Sequence, residues 1–232
     1  MASGFSSAVS GIEAAVLRQD VTANNVANVN TPGFMRSRVN QVERAGGGTA
    51  VASISRDTRP GPSIVTERPT DIGVRGDAFI EVQGPNGRSQ YTRSASLRID
   101  SEGFLALPSG QRISGAPQVP PNAESLAINA DGSVVARTPD ILRVLGRLNV
   151  VRFSNAEGLQ AVGGNLFEET AASGPPMALP FPALVPGELV GANTDLAAEI
   201  IESILARAGL DVNVEAFQTL DDMSGTILDM AR

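Results

Sequence analysis

Between residues 3 and 29 the apolar positions Phe5, Val9, Ile12, Val16, Ala23 and Val26 recur at alternating spacings of four and three, with polar Gln19 completing the series. That repeat keeps one face of a helix in register, so a single amphipathic helix is expected here. Pro32 and Gly33 end it, because a proline forces the preceding Thr31 out of the helical region and a glycine accepts the left-handed turn that follows. Residues 193–232 repeat the design. Ala216, Leu220, Met223, Ile227 and Met230 are again spaced by four and three, and Phe217 and Leu228 widen the stripe. Upstream, Leu196, Ile200 and Ile204 run at spacings of four beside Ile201 and Leu205. Asn193 or Thr194 is the expected N-cap. Gly209 is the expected weak point, since glycine inside a helix costs about 1 kcal/mol relative to alanine.

In the middle of the chain the period shortens. Runs at 79–83, 89–99, 103–107, 126–129, 134–137 and 145–153 are β-like and are separated by Pro85-Asn86-Gly87, by Asp131-Gly132 and by proline clusters. The Asn-Gly pair signals a hairpin. Residues 35–70 are polar, contain Gly46-Gly47-Gly48, Pro60, Pro62 and Pro69, and alternate only briefly near Val51 and Ile54, so an extended connector is expected. A second connector is expected over 173–192, where five prolines fall between residues 173 and 187.

The predicted fold is therefore mainly β with helical termini. An antiparallel β domain (71–172) is flanked by an N-terminal helix (1–34) and a C-terminal helix (193–232) that pair as a coiled coil, joined to it by the connectors 35–70 and 173–192. A two-helix pair covers only part of its apolar surface and contributes little stability after ordering entropy. The remainder calls for further copies, and a heterologous contact that repeats without closing a ring builds a tube. The expected assembly contacts are Phe5, Val9, Ile12, Val16, Ala216, Leu220, Met223 and Ile227.

Composition narrows the chemistry. The chain has 232 residues, 42% of them hydrophobic, which suffices for a packed core, while 24 glycines and 15 prolines favour short elements. With no Cys and no His it lacks thiol nucleophiles, thiolate and imidazole metal ligands, and the usual proton carrier near neutral pH. A net charge of −7 argues against the basic face that displaces counterions from phosphates, so nucleic acid is not an expected partner. The acid pairs Asp71 with Asp77, Glu168 with Glu169, and Asp221 with Asp222 read as solvated surface, because acid–base catalysis needs a defined separation and unequal environments. Gly46-Gly47-Gly48 lacks the lysine of a phosphate loop. No catalytic, cofactor-binding or metal residue is assigned, and neither an enzyme activity, a cofactor nor a small-molecule substrate is expected. A ligand-binding β module with helical ends is the alternative from another class; it would need an aromatic-lined pocket, and the chain has no Trp and one Tyr, Tyr91. Ahead of Arg18 there is no basic residue and no compact apolar stretch, so a cleavable secretory signal is not expected.

Residues Val21-Thr22-Ala23-Asn24-Asn25-Val26-Ala27-Asn28-Val29-Asn30-Thr31-Pro32-Gly33-Phe34 resemble the N-terminal signature of the bacterial flagellar rod and hook protein family. Residues 71–79, Tyr91-Thr92-Arg93, Asp100-Ser101-Glu102-Gly103 and Ala130-Asp131-Gly132-Ser133-Val134 follow the same family's order, and residues 165–174 with Gly187-Glu188-Leu189 resemble its distal-rod branch. The C-terminal pattern keeps Arg207 and Asn213 but not the family's Gln and Tyr, and 35–70 is compact, so a proximal-rod or hook-type paralogue stays open. The resemblance implies a structural subunit of the flagellar basal-body rod, exported through the flagellar type III apparatus without a cleavable signal and assembled with itself and with other rod and hook subunits into a hollow, periplasm-crossing shaft. It marks Asn24, Asn25, Asn28, Thr31, Gly33, Phe34 and Asn213 as motif residues, the asparagines bonding the loop beyond the helix end.

Overall fold

A computed structural model describes residues 2–84 and 87–230. The Pro85-Asn86 part of the expected hairpin turn and the side chain of Leu228 lie outside the described residues. The chain forms two compact units, one from the segment up to Val29, Arg36–Asp57 and the segment from Thr194, the other from Asn30–Met35 and Thr58–Asn193.

The first unit holds α1 (Ala2–Ala27), the hairpin of β1 (Ser37–Glu43) and β2 (Thr49–Arg56), and α2 (Leu196–Met230). The two helices pair antiparallel, as the end-to-end sequence of facing residues shows: Gly4 against Leu220, Gly11 against Asn213, Arg18 to Glu202 at 2.8 Å and Asn25 to Glu199 at 3.1 Å. The α1 seam thus consists of Gly4, Ala8, Gly11, Ala15, Arg18, Thr22 and Asn25, of which Ala8, Ala15, Thr22 and Asn25 are buried. It is a heptad, displaced by one residue from the bulky one that the apolar pattern selects. Small residues win the seam because they let the backbones approach. A Cβ at Gly11 would lie 2.6 Å from Asn213 Cγ, and one at Gly4 3.2 Å from Leu220 Cδ1.

Residues 35–70 are not the extended connector expected. β1 and β2 pair along their whole length with one register shift at Asn40/Gln41. The turn between them is Gly46-Gly47-Gly48, all at positive φ. Gly48 sits directly on α1, where a side chain would meet Ser10 Oγ and the Ser7 Cα at 3.0 Å, and the Thr49 amide donates to Ser10 Oγ at 3.2 Å. α2 starts at a different cap from either residue expected: Asp195 Oδ1 accepts from the backbone amides of Ala197 (2.9 Å) and Ala198 (3.4 Å), whereas the Asn193 side-chain Nδ2 donates to the Arg59 carbonyl. Gly209 does not interrupt the helix, and the Asn213 side chain donates to its carbonyl at 2.6 Å.

The second unit is antiparallel β throughout. Its strands are β3 (Ser63–Val65), β4 (Asp71–Val74), β5 (Ala78–Gln83), β6 (Ser89–Thr92), β7 (Ser94–Ser96), β8 (Arg98–Ile99), β9 (Leu105–Ala106), β10 (Arg112–Ile113), β11 (Ser125–Ile128), β12 (Ser133–Arg137), β13 (Leu142–Arg147), β14 (Val150–Arg152), β15 (Gln160–Gly163), β16 (Leu166–Glu168), β17 (Met177–Ala178), β18 (Leu184–Pro186) and β19 (Glu188–Val190). β5 is the hub, bonded to β6, β10 and β14. β11, β12 and β13 form a separate three-stranded sheet, β18, β4 and β7 another, and β19 pairs with β3. The proline-rich segment 173–192, expected as a connector, supplies strands to three of these sheets. One core gathers Ile72, Val74, Ile80, Leu97, Leu105 and Val134. A second is aromatic, with Phe79, Tyr91, Phe153 and Phe167 in edge-to-face contact.

Candidate assembly surface

The helical unit is pinned by a buried polar cluster. Asn25 acts as a surrogate backbone: its Nδ2 donates to the Ser37 carbonyl at 2.8 Å and its Oδ1 accepts from the Ser37 amide at 2.9 Å, so β1 begins by pairing with a side chain. The same Nδ2 donates to Glu199 Oε2 at 3.1 Å, and Arg36 Nη2 lies 3.4 Å from Glu199 Oε1. Asn25 and Glu199 are each 1% exposed. The expectation that motif asparagines bond the chain beyond the helix describes Asn25. Asn28 donates to the Asn24 carbonyl at 2.9 Å, and Asn24 is exposed. Glu199, Arg36 and Ser37 were missed from the sequence; the one signal for Glu199 was an acid standing alone among Leu196, Ile200 and Ile201.

Thr31, Gly33 and Phe34 of the motif lie in the second unit, whereas Asn213 is on α2. The Gly33 amide donates to the Val190 carbonyl at 2.7 Å, and its φ of +76° and a distance of 3.0 Å from a would-be Cβ to Ser94 Cβ explain the glycine. Phe34 donates its amide to the Thr31 carbonyl at 3.1 Å, while its own carbonyl accepts from Asn193 at 3.3 Å. Asn165 donates to the Pro32 carbonyl at 2.6 Å. The other family segments are turn-makers. Asp100 Oδ1 accepts from the amides of Glu102 and Phe104, and Asp131 Oδ1 from the amide and hydroxyl of Ser133. The Phe104 amide and then the Arg112 side chain hold the Asp100 carboxyl below the usual range; Ser133 and then Arg147 do the same for Asp131. In both cases hydrogen bonds to the charged form favour it. Arg93, 1% exposed, stacks on the Phe79 ring at 4.6 Å and donates to the Thr58 carbonyl.

The expected assembly residues divide into two sets. Phe5 meets Phe217 edge-to-face with centroids 5.3 Å apart and Leu220 packs on Gly4, so these serve the helix pair itself, while Ile12 is half-buried. Val9, Val16, Ala216, Met223 and Ile227 are exposed. Met223 and Ile227 follow Leu220 on α2 at the same heptad spacing. Further along α2, Ile201, Leu205 and Val212 are exposed on a face turned away from the seam. Among the described residues no group of three or more Asp, Glu, His or Cys side chains could hold a metal ion, and no helix is long and apolar enough to cross a membrane.

Two family models match the chain: one described as flagella basal body rod protein over residues 5–34, the other as flagellar hook protein FlgE/F/G D1 domain over residues 73–136. The flagellar basal-body rod protein FlgG of Borreliella burgdorferi is 32% identical, with 97% of each chain covered, and that of Caulobacter vibrioides is 30% identical over 93% of this chain and 94% of its own. The chain belongs to the flagellar basal-body rod protein family. The rod protein FlgF of Escherichia coli is also similar, at 29% identity over 90% of each chain. This chain is a structural subunit of the flagellar basal-body rod, and the FlgG relatives match the distal-rod branch that residues 165–174 resemble. Within the rod subunit, the first matched segment is α1 with its Thr31-Pro32-Gly33-Phe34 turn, and the second runs from β4 to β12.

Proposed function

We propose that the rod subunit polymerises through its terminal helices into a hollow helical shaft, using copies of itself along the shaft and other rod and hook subunits at its ends. It reaches the basal body through the flagellar type III export apparatus without a cleavable signal, and it catalyses no reaction on any small molecule. The observation that carries this reading is the row of exposed apolar residues on the helix pair. Met223 and Ile227 continue the heptad of Leu220 on α2 and are exposed, as are Val9, Val16, Ile201, Leu205 and Val212. Apolar residues presented at helical spacing are what another helix packs against.

Met223 and Ile227 also provide the cleanest test, since Leu220 is needed by Gly4 within the subunit. Burying each side chain contributes about 2 kcal/mol. Replacing both with Asp should raise the critical concentration for polymerisation roughly a thousandfold, as ~4 kcal/mol implies, while leaving the β unit folded. Sedimentation and negative-stain microscopy over a concentration series measure this. A Met223→Asp/Ile227→Asp variant that forms tubes at the wild-type concentration refutes the reading.

A further inference from the structure

The β unit carries exposed apolar residues that its own core does not use. β13 is the outer strand of the β11–β12–β13 sheet, and Leu142 and Val144 stand 69% and 66% exposed on it, next to Ile141 at 61%. β3 is the outer strand of its pair with β19, and there Ile64 and Val65 are 45% and 68% exposed. Among the described residues neither strand has a partner on its free edge. Proteins ordinarily blunt such edges with charge, proline or a covering loop, because an unpaired apolar strand templates pairing with another chain. Here β13 carries Arg143 and Arg147 and β3 is only three residues long, yet both edges stay unpaired among the described residues.

We propose that β13 of one subunit lies along β3 of a second copy of this chain, forming a contact between β units that accompanies the helical one and rests on the polymerisation reading above. Charge supports the pairing. Arg143 lies between Leu142 and Val144, Glu67 lies just after β3, both are exposed, and neither has an ion-pair partner among the described residues. Glu67 is also held at a φ of +57°, a conformation that non-glycine residues rarely keep, with its amide bonded to the Gly187 carbonyl. Size identifies the occupant. Strands of three and six residues bury far less than the ~1,200 Å² that a specific stable complex needs. The contact is too small to capture a free partner from solution, and suffices only where the helices already hold two copies side by side. Because the two edges differ, every contact leaves one β13 and one β3 free, so it extends along a polymer and does not close a dimer.

The chain has no native cysteine, which makes cross-linking unambiguous. Val65→Cys and Val144→Cys subunits, mixed, polymerised and bridged with a short bismaleimide, should give covalent mixed dimers, and neither variant alone should give any. Adjacent strands place facing Cα atoms about 4.5–5.5 Å apart, well within reach. Tubes that yield no mixed dimer, or dimers in Val144→Cys alone, overturn this contact and leave the polymerisation reading intact. Failure to form any tube overturns both. Independently, Arg143→Glu should raise the critical concentration roughly twofold to fivefold, the range of an exposed ion pair, and adding Glu67→Arg to the same chain should restore it. An additive loss in the double variant sinks the pairing.

Discussion

Glu199→Ala probes the buried cluster that joins α1, β1 and α2. The side chain of Glu199 is 2% exposed and that of Arg36 15%, with 3.4 Å between their charged atoms. Removing the carboxylate takes this ion pair from the Arg36 guanidinium and one acceptor from the Asn25 amide. Breaking one half of a buried pair costs about 3–5 kcal/mol, mostly for the charge left behind. Partial access of water to Arg36 places the expected loss near the lower end, about 3 kcal/mol. Glu199 also occupies the first turn of α2, where an anion beside the helix N-terminus contributes ~0.5 kcal/mol. Urea unfolding followed by ellipticity at 222 nm reports this unit, because the two helices dominate that signal. Arg36→Ala and the double variant complete a cycle whose coupling should exceed about 1 kcal/mol. A loss below about 1 kcal/mol for Glu199→Ala, or additive behaviour in the cycle, refutes the claim that this pair sets the geometry.

Gly33→Ala should destabilise the β unit by about 1–2 kcal/mol, the usual cost of a left-handed non-glycine residue, with the new Cβ pressed to 3.0 Å from Ser94; an unchanged unfolding midpoint contradicts this. The single tyrosine makes a second test direct. Burial first, then Glu81 and Glu169, push the Tyr91 phenol up to about 12 from its ordinary 10.0. Between those values the folded chain keeps a proton that the unfolded chain has lost. The associated stability is complete below pH 10 and is lost as pH rises through about 12. Absorbance at 295 nm should therefore show no tyrosinate near pH 10 while the protein is folded, and ordinary titration there would refute the burial argument.

Two helices at the chain ends and antiparallel strands between them were legible because they are written in residue type and period. Which face of α1 meets α2 was not, because the apolar pattern ranks residues by hydrophobicity and so favours Phe5, Val9, Ile12 and Val16. The actual seam one residue earlier is carried by Gly4, Ala8, Gly11 and Ala15, and a pattern of small residues at the same 4-3-4 spacing was its only trace. The hairpin at 37–56 was hidden for a different reason. Both of its faces are half-exposed or exposed, so its strands show little polar alternation, and it docks through the Ser10 hydroxyl and a side-chain-free Gly48. The α2 cap was expected at Asn193 or Thr194, and Asp195 was passed over. The decision came from distance in sequence, since the Asn193 side-chain amide is taken by the Arg59 carbonyl.

The displaced seam bears on why a rod subunit is built this way. Had the bulky heptad been turned inward, Val9 and Val16 would be spent on α2, and the helix pair would resemble a finished hairpin with little reason to accept a neighbour. Using glycine and alanine at the seam brings the helices together at small apolar cost and leaves the larger side chains outside. Specificity then has to come from elsewhere, since a small-residue seam discriminates poorly between registers. The Asn25–Glu199–Arg36 cluster supplies it, because a shift of α2 by one turn would carry the buried Glu199 carboxylate away from both Asn25 and Arg36. Register matters more here than in an ordinary helix pair. Met223 and Ile227 stand exposed in this alignment, so the same polar contacts that fix the fold also fix which apolar residues are presented for assembly.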